Sequence, residues 1–118
     1  MTPIEIYEKL VSECRPGSIP IPHKLFEGNC KPKTFGMMSY LISESYELMI
    51  KTNGKSNWEV DCSCLNDKNM GKMYMTKNAL RKELIICLTR KFILDLKEEE
   101  GKIFATINAS YLFEWNKE

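Results

Sequence analysis

Residues 76–91, TKNALRKELIICLTRK, gather Lys77, Arg81, Lys82, Arg90 and Lys91 around a single acid, Glu83. On a helix advancing about 100° per residue, Leu80, Leu84, Cys87 and Leu88 fall on one face and Asn78, Arg81, Lys82, Ile85 and Thr89 on the opposite arc. The outward types suit the edges of base pairs. An asparagine amide can make two hydrogen bonds with adenine, an arginine can do the same with guanine, and an aliphatic side chain can touch a thymine methyl. Lys77 and Lys82 are better suited to phosphate oxygens, which give affinity without sequence information.

The charge distribution supports a polyanion partner. From Lys68 to Lys91 seven basic residues (Lys68, Lys72, Lys77, Arg81, Lys82, Arg90, Lys91) stand against one acid, a local charge of +6 in a chain whose total is +1. Such a patch on a neutral chain is the electrostatic footprint of a polyanion. The same residues would also serve a plain solvated helix face, and an outward Ile85 would equally suit a protein–protein contact.

Other chemistry finds little footing. The one histidine, His23, lies in a proline-rich stretch, and there is no Gly-rich phosphate loop and no nucleophile motif. The constellations of acid–base and covalent catalysis are missing, so an enzyme is not expected. Five cysteines, an odd number at irregular spacing, read as reduced thiols rather than a disulfide scaffold. Cys62-Ser63-Cys64 is too closely spaced for a tetrahedral zinc site and lacks nearby histidines, so it reads as packed thiols, with no metal and no cofactor.

The elements that must position these residues follow from patterning. With 118 residues, 43% hydrophobic and 28% charged, the chain reads as one domain, residues 1–118, with its own core. No apolar run approaches the ~20 residues of a membrane span, and the N-terminus has no signal-peptide pattern, so the expected location is cytoplasmic, away from membranes. Thr2-Pro3-Ile4-Glu5 is a helix start with a capping box, opening an N-terminal helix within residues 1–15. Residues 16–33, with Pro20, Pro22 and Pro32, read as an irregular connector, His23 being a surface or turn residue. The body, 34–118, opens with a helix to about Ile50 whose stripe is Phe35, Met38, Leu41, Ile42, Leu48 and Met49. WEVDC alternates as a half-buried strand with Glu59 and Asp61 outward. SCLNDKNMGK is either a short helix ending at Gly71 or a loop. Thr76 caps the helix Lys77 to about Arg90. KFILDLK, EEEG and KIFATI read as a β-hairpin, and Tyr111, Leu112, Phe113 and Trp115 are apolar enough to dock on the core.

The stretch from Thr76 to Trp115 resembles the winged-helix half of small replication initiators from plasmids and phages. In those proteins a Thr-capped basic helix precedes a hairpin that commonly ends in a pattern like G-x-Y-x-I-N-P-x-x-F. Gly101, Phe104, Ile107, Asn108 and Phe113 fill comparable places, with Ala109 in place of the proline. IPIPHKLFEG followed by an apolar helix is similar to the entry segment of such domains. The helix expected before the basic helix is replaced by the Gly/Asn/Lys-rich stretch from Asn66 to Lys72.

The element order and the resemblance together imply an α+β fold: a winged helix-turn-helix with three main helices and a C-terminal two-stranded β-hairpin wing. The resemblance implies double-stranded DNA binding for replication initiation, its control or transcription regulation on a mobile element, with Asn78, Arg81 and Lys82 as readers. Lys68, Lys72, Lys77, Ile85, Thr89 and Lys91 complete the expected DNA-binding set. Glu98-Glu99-Glu100, at the expected wing tip, cannot lie against phosphates, so the tip should point away or meet a basic protein surface. The alternative is a winged-helix protein-interaction module, a phage- or plasmid-encoded inhibitor or a replisome-assembly factor, that binds a replication or host protein and does not bind DNA. A homodimer through the N-terminal helix (Ile4, Ile6, Tyr7, Leu10) is the expected assembly.

Overall fold

The first helix, α1 (Pro3–Glu13), begins as its sequence dictates. The Thr2 hydroxyl accepts from the Glu5 amide at 3.2 Å and the Glu5 carboxylate accepts from the Thr2 amide at 2.9 Å, a closed capping box. Ile6 and Leu10 are buried in the core. The expected dimer surface is therefore corrected: two of its four residues already pack inside this chain, and Tyr7 meets Tyr46 edge-on. The computed structural model describes residues 2–27 and 30–113, so Trp115 lies outside the described residues.

Among its described residues the connector is irregular except for one 3₁₀ turn, His23–Phe26, which buries Leu25 and leaves His23 exposed. Helix α2 (Pro32–Lys51) starts two residues earlier than the expected Thr34, because proline fits a first helical turn. Met37, Met38, Leu41, Ile42, Tyr46 and Met49 form its buried face. Leu48 departs from the expected stripe and is exposed.

After α2 the chain turns through positive φ at Asn53, Gly54, Asn57 and Trp58, which delivers Trp58 into the core. Its ring stacks on Tyr46 at 6.2 Å and meets Phe113 at 6.0 Å, and its indole N–H donates to the Pro3 carbonyl at 3.0 Å. Strand β1 (Glu59–Asp61) follows, with Val60 buried and its neighbours half-buried. Cys62 is also fully buried, and that burial pushes its thiol pKa up to about 12. The ambiguous segment resolves as two 3₁₀ turns, Cys62–Asn66 and Lys68–Met73, each started by an aspartate that accepts a backbone N–H. Gly71, at φ 61°, interrupts the second. No residue of Lys68–Met73 is fully buried; Met70 and Met73 alone pack partly against the core, too little apolar face to drive a longer helix.

Helix α3 (Lys77–Thr89) is capped by Thr76, whose hydroxyl accepts from the Ala79 amide at 3.2 Å. It runs into a hairpin of β2 (Ile93–Glu99) and β3 (Lys102–Ile107). The three strands form one antiparallel sheet in the order β1-β3-β2, with Ile103, Ala105 and Ile107 of the central strand facing the core. The molecule is thus an α+β fold, helices packed on a small three-stranded sheet. The hairpin turn is Glu100-Gly101 with φ 51° and 79°, the left-handed pair that suits a two-residue connection. This corrects the expected tip: Glu98 and Glu99 belong to β2, and only Glu100 stands in the turn. Asn108 then caps a single turn, α4 (Ala109–Leu112), and its amide donates to the Lys91 carbonyl at 2.8 Å. Ala109 stands at the first helical position, where a proline would also fit.

Past the C-cap Arg90 of helix α3, Lys91 turns the chain away at φ 69°, with the Phe92 amide donating to the Cys87 carbonyl at 2.9 Å. This is a terminating geometry that glycine fills most easily. Lys91→Gly should raise thermal stability by about 0.5–1 kcal/mol, the left-handed cost less the added unfolded-state entropy. A melting curve checks it, and an unchanged or lower midpoint would contradict it.

Candidate nucleic-acid interface

Leu80, Leu84 and Cys87 seat α3 on the core. Leu88, expected with them, is 38% exposed, a correction with a geometric cause: it stands a fifth of a turn or more from the centre of the buried face. The opposite arc is open. Asn78, Lys82 and Thr89 are exposed and Ile85 is 56% exposed, with Ile86 beside it at 44%. Lys82 has no ion-pair partner among the described residues. Lys68, Lys72 and Lys91 are exposed too. Lys72 shares a small cleft with Lys33 at the start of α2.

The segment's single acid faces elsewhere. Glu83 accepts from the Thr34 hydroxyl at 3.0 Å, in the first turn of α2. That bond fastens α3 to α2 and places the carboxylate where the helix α2 amides favour negative charge. It leaves the outward arc without a carboxylate of its own.

The hairpin supplies one instead. Glu98 takes the Arg81 guanidinium in a fork, Oε2 accepting from Nε at 3.1 Å and Oε1 from Nη2 at 2.8 Å. The remaining Arg81 terminal nitrogen donates to the Asn78 side-chain oxygen at 3.2 Å. The Lys77 ammonium donates to the Gly101 carbonyl at 2.9 Å, across the hairpin turn. Arg81 and Lys77, expected to reach outward, are therefore committed to holding the hairpin against α3. Beside the Arg81–Glu98 pair a small cleft is lined by Leu84, Ile85, Leu96 and Ile103. The expectation that Arg81 offers its fork to a base is corrected: Glu98 already occupies it.

The signal for this contact is the alternation of β2, readable only with the turn narrowed to Glu100-Gly101. Leu96 packs toward α3, so Glu98, two residues on, projects to the same face. Placing the three glutamates together at a four-residue tip concealed it. On the sheet's other face Lys97 reaches Glu59 at 3.3 Å and lies over the Phe104 ring, so β1, β3 and β2 are cross-linked by one lysine.

The hydrogen bonds from Arg81 hold the Glu98 carboxyl below the ordinary carboxylate range, and desolvation opposes them by less. A depressed carboxyl stabilises the fold above its unfolded pKa, and that contribution is lost as pH falls through the folded value. The clamp should therefore open only in acid below the usual glutamate range. A side-chain NMR titration of Glu98 should show the low midpoint, and Arg81→Ala should return it to normal. A midpoint unmoved by that substitution would contradict the pairing.

Among the described residues no helix is long and apolar enough to cross a membrane. Compared with protein-family models, curated proteins and solved structures, the chain matches none.

Proposed function

We propose that this protein binds double-stranded DNA as a winged helix-turn-helix, with α3 in the major groove and β2–β3 as the wing. On this reading it serves a plasmid or phage in replication initiation, its control or transcription regulation. The observation that carries the reading is the outward arc of α3. Asn78, Lys82, Ile85 and Thr89 stand exposed there while the segment's one acid is turned to Thr34. A groove about 12 Å wide admits one helix, and this one presents an amide, an ammonium and an aliphatic side chain together. The sheet order β1-β3-β2, with α3 immediately before the hairpin, agrees with the winged arrangement. The likeness of residues 76–115 to plasmid and phage initiators supplies the biological setting. The 3₁₀ turns at Cys62–Met73 come in chain order where the reading expects a second helix, and they carry the exposed Lys68 and Lys72 shortly before the start of α3.

A second reading, a module that docks on a replication or host protein, is favoured by a different observation. Ile85, Ile86, Leu88 and Leu94 are all exposed on α3 and the strand after it, and Arg81 is already neutralised. Selection of bound duplexes from a random pool separates the two. The DNA reading expects an enriched motif that Lys82→Ala weakens uniformly. A pool that emerges unenriched and unbound at low salt would favour the protein-docking module.

A further inference from the structure

Arg81 is placed to act through its neighbour instead of on a base. Its fork is filled by Glu98 at 2.8 and 3.1 Å, which fixes the plane of the guanidinium. Its third contact, 3.2 Å to the Asn78 side chain, has only one chemically consistent assignment. A guanidinium has donors and no acceptor, so the amide atom facing it is the oxygen. The Asn78 amide is therefore turned with Oδ1 toward Arg81 and its NH₂ away, on the exposed arc of α3.

An unconstrained asparagine favours adenine because it donates to N7 while accepting from the N6 amino group. Asn78 has its oxygen turned to Arg81, with one of its two lone pairs engaged, so the group it presents on the open arc is its NH₂ donor pair. The geometry points to Asn78 as a reader that presents its donors, set by a Glu98–Arg81–Asn78 relay to prefer guanine, whose major-groove edge carries two acceptors, over adenine. This inference rests on the reading of α3 as a major-groove helix. Adenine would receive one bond and leave its amino group facing a donor, and cytosine would present a donor to a donor. Arg81 and Glu98 are positioning residues in this scheme. They touch no base, yet they decide which base is read.

The test is selection from a random duplex pool by the full chain and by Asn78→Ala, Arg81→Ala and Glu98→Gln, each first shown by melting to be folded. The wild-type protein should enrich guanine over adenine by about ten-fold at one position, the size of one well-placed contact. Asn78→Ala should erase the preference at that position alone. Arg81→Ala frees the amide oxygen, and the same position should switch to adenine. Glu98→Gln, which loosens the guanidinium without removing it, should narrow the difference between the two bases. Adenine already preferred by the wild type at the position that Asn78→Ala erases would overturn the relay while leaving DNA binding intact, as would a guanine preference unmoved by Arg81→Ala. Failure of the folded wild type to enrich any duplex would overturn both the relay and the DNA reading beneath it.

Discussion

Replacing Trp58 with alanine should lower stability by about 3–5 kcal/mol, the cost of deleting a large aromatic side chain from a core that cannot collapse around the gap. Trp58 is fully buried, and its ring joins three parts of the chain: Tyr46 of α2, Phe113 at the C-terminal end of the described residues, and Pro3 of α1 through the indole N–H. Small domains carry roughly 5–15 kcal/mol in total, so this one change removes a large fraction of it. Alanine does not recover the cost of the backbone, because φ at this position is 64° and an L-residue is disfavoured there whatever its size. Trp58→Phe should fall between the two, keeping most of the ring contacts but leaving the Pro3 carbonyl without its donor, at about 1–3 kcal/mol. Chemical denaturation of the three proteins checks the order. An alanine variant within about 1 kcal/mol of the wild type would contradict the central place given to this ring.

The second large effect is on binding. If α3 binds DNA as proposed, Lys72→Glu with Lys82→Glu should weaken duplex binding by on the order of 10²-fold at low salt, because each change would remove one phosphate contact and add a repulsive charge. Both lysines are exposed and no ion pair holds either among the described residues, so stability should hardly move. Lys55→Glu is the matched control. It stands beside Gly54, which packs near Ile4 and Tyr7 of α1, and it changes the net charge without touching the α3 arc. Equal losses from the control and from either of the paired changes would mean that binding follows total charge and not a surface.

Much of the fold was legible in the chain. Local chemistry placed the Thr2–Glu5 capping box, the Thr76 cap and the Trp58/Val60/Cys62 alternation, because each is decided within a few residues. Two kinds of feature were not legible. The irregular turns at Cys62–Met73 have no periodicity to read, and their form depends on side chains such as Asn66, whose amide donates to the Met75 carbonyl at 2.8 Å. The Arg81–Glu98 fork joins residues 17 apart, and it becomes visible only once the hairpin turn is narrowed to Glu100-Gly101. The helical projection named the outward arc, but the partner that fills Arg81 comes from the hairpin. Sequence periodicity shows which side a residue faces; it does not show what already stands there.

The most direct measurement is duplex affinity as a function of salt. If α3 and its flanking lysines lie against phosphates, log K should fall linearly with log salt at a slope near −0.9 for each contact, so Lys68, Lys72, Lys82 and Lys91 together give roughly −3 to −4. Lys82→Ala should flatten that slope by about 1. No duplex binding at ~50 mM salt, or an affinity indifferent to salt, would contradict the assignment of this surface to DNA.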